Sequence, residues 1–366
     1  MILAPFALLL AQPASDIVVT ARPLSRLQTD LAACIKRACP PDEDISAALA
    51  YAEAAFVAGD YKPARQALSA AIGRNRAAAS DFPEEMSDLY RAYATVSRHL
   101  GEADTYRNGT WNIERTTKRS AKATAEERLA ARIEVADMQV STGDPRSALD
   151  AYSTISRDAR RMDMATIAAT SDVRLAKMLY AFDRKREGRA LLIDLSTRPG
   201  PTLAPFRLGA RLLLQQIDHP DEKPDMSALA ADPGGLPTDG TQALIWSPPA
   251  DPNSDEAEAA TDRRLLPIGK TSNDHEGESF DGKWVDVGFH VNPDGTVQDV
   301  QLLRSAEGKA APWAKGELLR IAGRLYSPLK PGTVSPIADR TERLTYTSRY
   351  VSNRGWKKRS SLNVME

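Results

Sequence analysis

The sequence predicts a multidomain protein in which an all-α helical-repeat region is followed by a small α+β domain of order β-β-α-β. One observation is periodic: Gly59, Gly101 and Gly143 lie 42 residues apart, each between two helix-patterned stretches. Another is a pair of alternating, strand-like segments near the C-terminus, joined by the turn sequence Asn-Pro-Asp-Gly. At 366 residues the chain has room for about two domains with at least one sizeable core.

The helical region is expected over residues 27–217. Small residues recur where two helices of a hairpin would touch, and glycine recurs where the first helix of each hairpin would end. The pattern resembles tetratricopeptide (TPR) repeats, although its spacing is longer than the usual ~34 residues. The four units carry Ala52 and Gly59, Ala94 and Gly101, Ala136 and Gly143, and Ala176 with Asp183 in place of the turn glycine.

Stacked helical hairpins expose a concave surface, because each hairpin contacts only its neighbours. Four charged residues fall on the first helix of successive units and are expected to project toward this groove: Glu53, Arg98, Asp137 and Lys177. Charged residues on helices usually form a solvated face, so this simpler interpretation of the four residues stays open.

The α+β domain is expected over residues 282–352. Residues 285–291 alternate apolar and polar side chains, which predicts a half-buried strand with one solvent-facing side. After the turn at 292–295, a second strand is expected to about Arg304, and an apolar stripe at helical spacing then predicts one helix. A long closing strand places Leu344 with every second residue beyond it on one face.

These features together resemble the C-terminal domain of TonB-type energy transducers. The shared elements are the NPDGTV turn, the DVQLLRS strand, the helix, Tyr326-Ser327-Pro328, a Pro-Gly pair and the closing strand. The resemblance implies a protein-binding module that captures an extended peptide at a sheet edge. The closing strand is the candidate edge, because it is long and its outward face is polar: Arg343, Leu344, Thr345, Tyr346, Thr347, Ser348, Arg349 and Tyr350.

Residues 1–15 are an apolar run that ends in small residues and is too short to span a bilayer, which takes ~20 apolar residues. We expect a secretory signal peptide here and hence a periplasmic protein, with a buried N-terminal segment as the alternative. The extended segment 16–26 follows. Its first part resembles the TonB box of outer-membrane receptors and is a candidate peptide ligand, with an ordinary strand as the alternative: Asp16, Ile17, Val18, Val19, Thr20 and Ala21.

Cys34 and Cys39 are the only two cysteines. In an oxidising compartment they are close enough in sequence to pair across a helix end, since Pro40 and Pro41 stop the helix there. Two buried free thiols are the alternative.

Residues 218–281 have the composition of a linker, rich in proline and acidic residues. Within it, the apolar segment 243–246 is a candidate for an extra strand docked on one of the domains. The last segment, 353–366, is a short basic tail of the kind that is usually non-specific.

Nothing in the sequence indicates catalysis, a cofactor or a metal site. The common nucleophile, metalloprotease and dinucleotide-binding motifs are missing, and the four histidines are widely spaced. A formal net charge of −1 gives no basic excess for binding nucleic acid.

The sequence therefore predicts a non-catalytic periplasmic interaction protein, with protein or peptide partners in the cell envelope and no membrane span. One alternative is an energy transducer whose membrane anchor was lost through a mis-called start. Another is an enzyme with an unrecognised site in the repeat groove.

Overall fold

Helices make up the N-terminal part of the described chain, and a small sheet region lies at its C-terminal end. This confirms the prediction of a helical region followed by a small α+β region. The structure is a computed structural model, and it describes residues 23–219, 242, 244–248, 284–306, 314–330, 332–333, 335 and 337–345.

The helices of the first region follow one another with short turns. They are α1 (Leu24–Lys36), α2 (Pro41–Ala58), α3 (Tyr61–Asn75), α4 (Pro83–His99), α5 (Ala103–Arg119), α6 (Ala125–Ser141), α7 (Pro145–Arg161), α8 (Ala165–Ala181), α9 (Lys185–Thr197) and α10 (Ala204–Asp218). Each packs against the next, so that successive pairs form antiparallel hairpins. Helices α4 to α8 are each 17 residues long, and each 42-residue interval between turn glycines spans two helices and the connection between them.

The turns inside the hairpins share one backbone conformation. Gly59, Gly101 and Gly143 have φ of 88°, 73° and 87°, the left-handed region that ends a helix. Asp183 takes the same place in the fourth hairpin with φ of 60°. Aspartate adopts this conformation more readily than most residues with a Cβ, so the turn survives without glycine.

Close helix contact in the second hairpin depends on Gly109, in the middle of α5. A Cβ placed on this residue would lie 2.9 Å from the Cβ of Ala94 on α4, inside normal contact distance. At the start of the array, Cys34 and Cys39 form a disulfide across the end of α1, with their Cα atoms 5.3 Å apart.

The C-terminal region contains β1 (Leu244–Trp246), β2 (Trp284–Val291), β3 (Val297–Ser305), α11 (Ala314–Ala322), β4 (Leu325–Tyr326) and β5 (Asp339–Thr345). Strands β3, β2 and β5 form an antiparallel sheet in that order, with β2 in the centre. One face of β2 packs on α11 and forms the domain core, in which Val285, Val287, Phe289 and Val291 meet Ala314, Ile321 and Tyr326.

A second, two-stranded sheet joins the linker to this domain. Strand β1 pairs antiparallel with β4, so the candidate strand within 243–246 is present at Leu244–Trp246 and docks on the C-terminal domain at Leu325 and Tyr326. On its other side, Ile245 of β1 packs against Leu208 and Leu212 of α10. The linker segment therefore contacts both the last helix of the array and the C-terminal domain.

The expectation that β2 has one solvent-facing side is wrong. Seven of its eight residues are buried, including Trp284, Asp286 and Gly288 on the face opposite α11. The physical reason is that this second face is covered: Trp284 belongs to the core formed by the first helical hairpins, and Leu303 lies over Gly288. The alternating pattern predicted correctly which residues of β2 share a face, but it carries no information on what the second face contacts.

None of the described helices combines the length and the apolar character needed to cross a membrane.

The turn at Gly143 gives a test of the hairpin geometry. We expect Gly143→Ala to lower the free energy of unfolding by about 1–2 kcal/mol, because alanine is strained at positive φ. No neighbouring atom lies within 4 Å of the added Cβ, so backbone strain is the only cost. Urea unfolding measures it, with Asp183→Gly as the matched opposite change, which is expected to stabilise the protein. An unchanged stability of Gly143→Ala would contradict the left-handed turn.

Candidate functional site

The polar face of β2 packs against the turn between α2 and α3. Trp284, which is 8% exposed, lies over Gly59, and a Cβ on Gly59 would be 2.7 Å from Cε2 of the indole. The guanidinium carbon of Arg343 on β5 lies 3.9 Å from the centre of the Trp284 ring, a cation–π distance. We call this set of residues, together with Asp286 and Arg304, the docking contact.

A buried carboxylate lies at the centre of the docking contact. Asp286 accepts hydrogen bonds from Nε of Arg343 at 2.6 Å and from Nε of Arg304 at 2.9 Å. Burial alone would raise the pKa of Asp286, but the hydrogen bonds and charges of Arg343 and then Arg304 outweigh it and hold the pKa below its usual value. The carboxylate is therefore charged and doubly paired at neutral pH.

Arg343 also binds the end of a helix. Its guanidinium donates to the main-chain carbonyls of Phe56 and of Val57, the latter at 2.6 Å, in the last turn of α2. The carbonyls in the last turn of a helix have no partner within the helix and carry its partial negative charge. A cation from the C-terminal domain therefore caps a helix of the repeat region.

The ring cluster beneath Arg343 includes a histidine. The ring of His99 lies 4.8 Å from Phe56 and 5.7 Å from Tyr61. Burial, followed by the positive charges of Arg98 and Arg343, lowers the pKa of His99 to about 4. The imidazole is consequently neutral at neutral pH, as a site next to an arginine requires.

The two outer strands of the sheet differ in regularity. Strand β5 pairs with β2 through seven consecutive residue pairs without a shift, from Trp284 with Thr345 to His290 with Asp339. Strand β3 pairs through a register that shifts twice, and Asp299 within it has φ of 55°. Among the described strands, neither β3 nor β5 has a partner on its outer side.

The candidate edge residues lie partly in β5. Arg343 belongs to the docking contact, Leu344 packs against the core on α11, and Thr345 ends the strand. Residues 346–350 lie outside the described residues, as does the candidate ligand segment 16–21.

Two of the four predicted groove residues, Asp137 and Lys177, lie near the same arginine, Arg174. Asp137 on α6 accepts two hydrogen bonds from Arg174 on α8, at 2.7 and 3.0 Å, and a third from the Tyr152 hydroxyl at 2.6 Å. Burial and then the bond to Asp137 raise the pKa of Tyr152. Burial, followed by the charge of Arg174, lowers the pKa of Lys177. Asp137 and Lys177 therefore belong to one half-buried polar cluster.

The other two predicted groove residues are not part of this cluster. Glu53 on α2 and Arg98 on α4 are exposed, each on the first helix of its hairpin as expected. No group of three or more metal-ligating side chains is assembled in the part of the chain that the structure describes.

The docking contact was not predicted from the sequence. A signal was present, because Trp284 and Asp286 fall on the polar side of β2, where an aromatic residue is out of place on a solvated face. The sequence does not show that Trp284 contacts Gly59, because the turn between α2 and α3 is by itself a sufficient reason for a glycine at this position.

We expect Gly59→Ala to destabilise the protein by about 1–3 kcal/mol more than Gly143→Ala. Both glycines have positive φ, but only the Cβ at residue 59 would collide with Trp284. Urea unfolding in the Trp284→Ala background is the control: there the two glycine substitutions should cost the same. An excess cost of Gly59→Ala that persists without the indole would show that Trp284 is not its cause.

Asp286→Asn should destabilise the protein by about 3 kcal/mol at neutral pH, because two arginines lose their buried counter-charge. The folded pKa of Asp286 is below its unfolded value, so its contribution is full above pH ~4 and is lost as pH falls through the folded pKa. Thermal unfolding of both proteins from pH 7 to pH 2.5 is the measurement. The difference in stability should shrink below pH ~4, and a constant difference would refute the charged pair.

The chain matches no protein-family model, and no curated protein is significantly similar to it in sequence.

Proposed function

We propose that this chain is a non-catalytic interaction protein whose C-terminal domain binds extended peptide segments by β-augmentation. In this mode the peptide adds a strand to a sheet edge, main-chain hydrogen bonds supply affinity and alternate side chains supply selectivity. The observation that carries the proposal is the unbroken register of β5 on β2 over seven residue pairs. A regular outer strand offers outward main-chain donors and acceptors at every second residue without interruption.

The choice of β5 over β3 follows from their geometry. Bulges bend and twist a strand, and edge strands commonly carry them as protection against pairing. Strand β3 has two register shifts and Asp299 at positive φ, whereas β5 has no shift along its pairing. The β5 edge is therefore the better template for an added strand.

The side chains of β5 are held from both faces of the sheet. On one face Glu342 accepts two hydrogen bonds from Arg324 at 2.8 Å, and Arg340 lies over the Tyr326 ring at 4.4 Å. On the other face Arg343 is fixed by the docking contact. A strand held in this way loses little conformational freedom when a peptide binds, which favours affinity.

The wider proposal rests on the sequence resemblances. The domain is TonB-like, the helical hairpins form a TPR-like scaffold, and the protein acts in the periplasm on protein or peptide partners of the cell envelope, in connection with TonB-dependent transport. The candidate ligand within the chain is segment 16–21. Four consecutive residues in it are β-branched, from Ile17 to Thr20, and such residues favour the extended conformation that strand addition needs.

Hydrogen exchange tests the edge. A peptide of residues 15–24 is added to a chain that begins at Pro23, and exchange is followed by mass spectrometry. We expect slower exchange over residues 339–345, because their outward amides gain partners, and unchanged exchange over β3 at residues 297–305.

The control peptide carries N-methyl groups on the main-chain nitrogens of Val18 and Thr20, which removes donors without changing side chains. It should give no protection. Equal protection by both peptides would show side-chain binding instead of strand addition, and protection confined to β3 would assign the wrong edge.

A further inference from the structure

A solvent-open cavity of ≈ 490 Å³ is lined by residues of α7, α8 and α9, on a part of the array that the proposed function does not use. Three arginines of α7 line it, Arg157, Arg160 and Arg161, together with Asp172 of α8 and the apolar side chain of Leu175. Small-ligand sites typically have volumes of roughly 300–1,000 Å³, so the cavity is large enough for a small molecule or a lipid headgroup.

The floor of this cavity is a fixed, buried carboxylate. The side chain of Asp172 is 1% exposed and accepts hydrogen bonds from Ser156 at 2.5 Å, from Arg160 at 2.7 Å and from Arg198 at 2.6 Å. These bonds occupy the carboxylate and hold the Arg160 guanidinium in place. A guanidinium that is already positioned needs little further ordering to bind a ligand.

The lining has an excess of positive charge. Three guanidiniums and one carboxylate leave a formal charge of +2. Arg161 is 3.9 Å from Asp158, whose carboxylate is closer to Arg132 at 2.9 Å, and Arg157 makes no ion pair among the described residues. Like charges three and four residues apart on a helix repel each other, and Arg157 forms two such pairs, with Arg160 and with Arg161.

The helix itself explains only part of this arrangement. Arg160 and Arg161 lie in the last turn of α7, where cations are stabilised by the helix dipole. Arg157 lies one turn earlier, where that effect has largely decayed. The carboxylates of the protein do not neutralise all three arginines, so an anion in the cavity would reduce the repulsion between Arg157 and its two neighbours, Arg160 and Arg161.

We propose that this cavity binds a phosphate group, presented by a small phosphorylated compound or by a lipid headgroup. A phosphate monoester carries about −1.5 to −2 charges at pH 7, which matches the formal charge of the lining. The planar guanidinium of arginine can donate two parallel hydrogen bonds to phosphate oxygens. Asp172 accepts a hydrogen bond from only one nitrogen of Arg160, so other N–H groups of that guanidinium remain for a ligand. Arg157 and Arg160 are the expected direct ligands, with Arg161 adding charge at the rim.

Isothermal titration calorimetry of the full chain with inorganic phosphate and with glycerol 3-phosphate tests the free-ligand source. Co-sedimentation with phosphatidylcholine vesicles, with and without phosphatidic acid, tests the headgroup source. We expect saturable binding in at least one arm that weakens as salt is raised. Arg157→Gln should weaken it roughly tenfold or more, because a charge-assisted hydrogen bond is lost.

Arg119→Gln is the matched control, since Arg119 on α5 is also exposed and makes no ion pair among the described residues. It should leave binding unchanged. Thermal unfolding of both variants checks that each remains folded. No saturable binding in either arm, or an equal loss of binding in Arg157→Gln and Arg119→Gln, would overturn the proposal.

Discussion

The ion pairing of Asp286 is the constraint on which the rest of the C-terminal domain depends. A buried carboxylate is tolerated only when it is paired and hydrogen-bonded, and both of its partners come from strands that flank β2. Arg343 lies directly opposite Asp286 in the β2–β5 register. A slip of one residue would turn Arg343 to the α11 face and leave the carboxylate with one of its two partners. The charge therefore fixes the register of the sheet as well as its attachment to α2.

This arrangement separates two uses of one strand. The side chain of Arg343 joins the C-terminal domain to the repeat region, whereas the outer main-chain edge of β5 lies on the side away from β2. Peptide capture at that edge would therefore leave the docking contact in place. These side-chain contacts also account for the regularity of β5. Arg343 bonds to Asp286 on one face of the sheet, and Glu342 and Arg340 bond to Arg324 and to the linker on the other, so a bulge would move one of them to the wrong face. Strand β3 is under fewer such demands, and it is the one that carries the bulges.

Local rules recovered much of the fold from the sequence. The periodic glycines marked the hairpin turns. Asp183 was assigned to the fourth turn because it follows Ala176 at the same distance at which Gly143 follows Ala136. The apolar face of β2 followed from alternation alone. What the sequence could not reveal depends on contacts between distant segments. Trp284 looked like the start of a half-exposed strand because its partner, Gly59, is more than two hundred residues earlier. Tyr326 was not assigned to a strand, because the strand that pairs with it comes from the linker. Asp172 gave no signal at all, since its three partners come from two other segments.

The bond between Arg343 and the end of α2 joins residues 287 positions apart in the chain. The helices of the array contact mainly their neighbours in the sequence, so we expect the array to fold before the C-terminal domain docks on it. Until the C-terminal domain docks, we expect the Val57 carbonyl and the surface of Gly59 that Trp284 covers to face solvent. We therefore expect the first hairpin to fold early and to gain its contacts with the C-terminal domain last. Until then its turn is accessible to other binding partners.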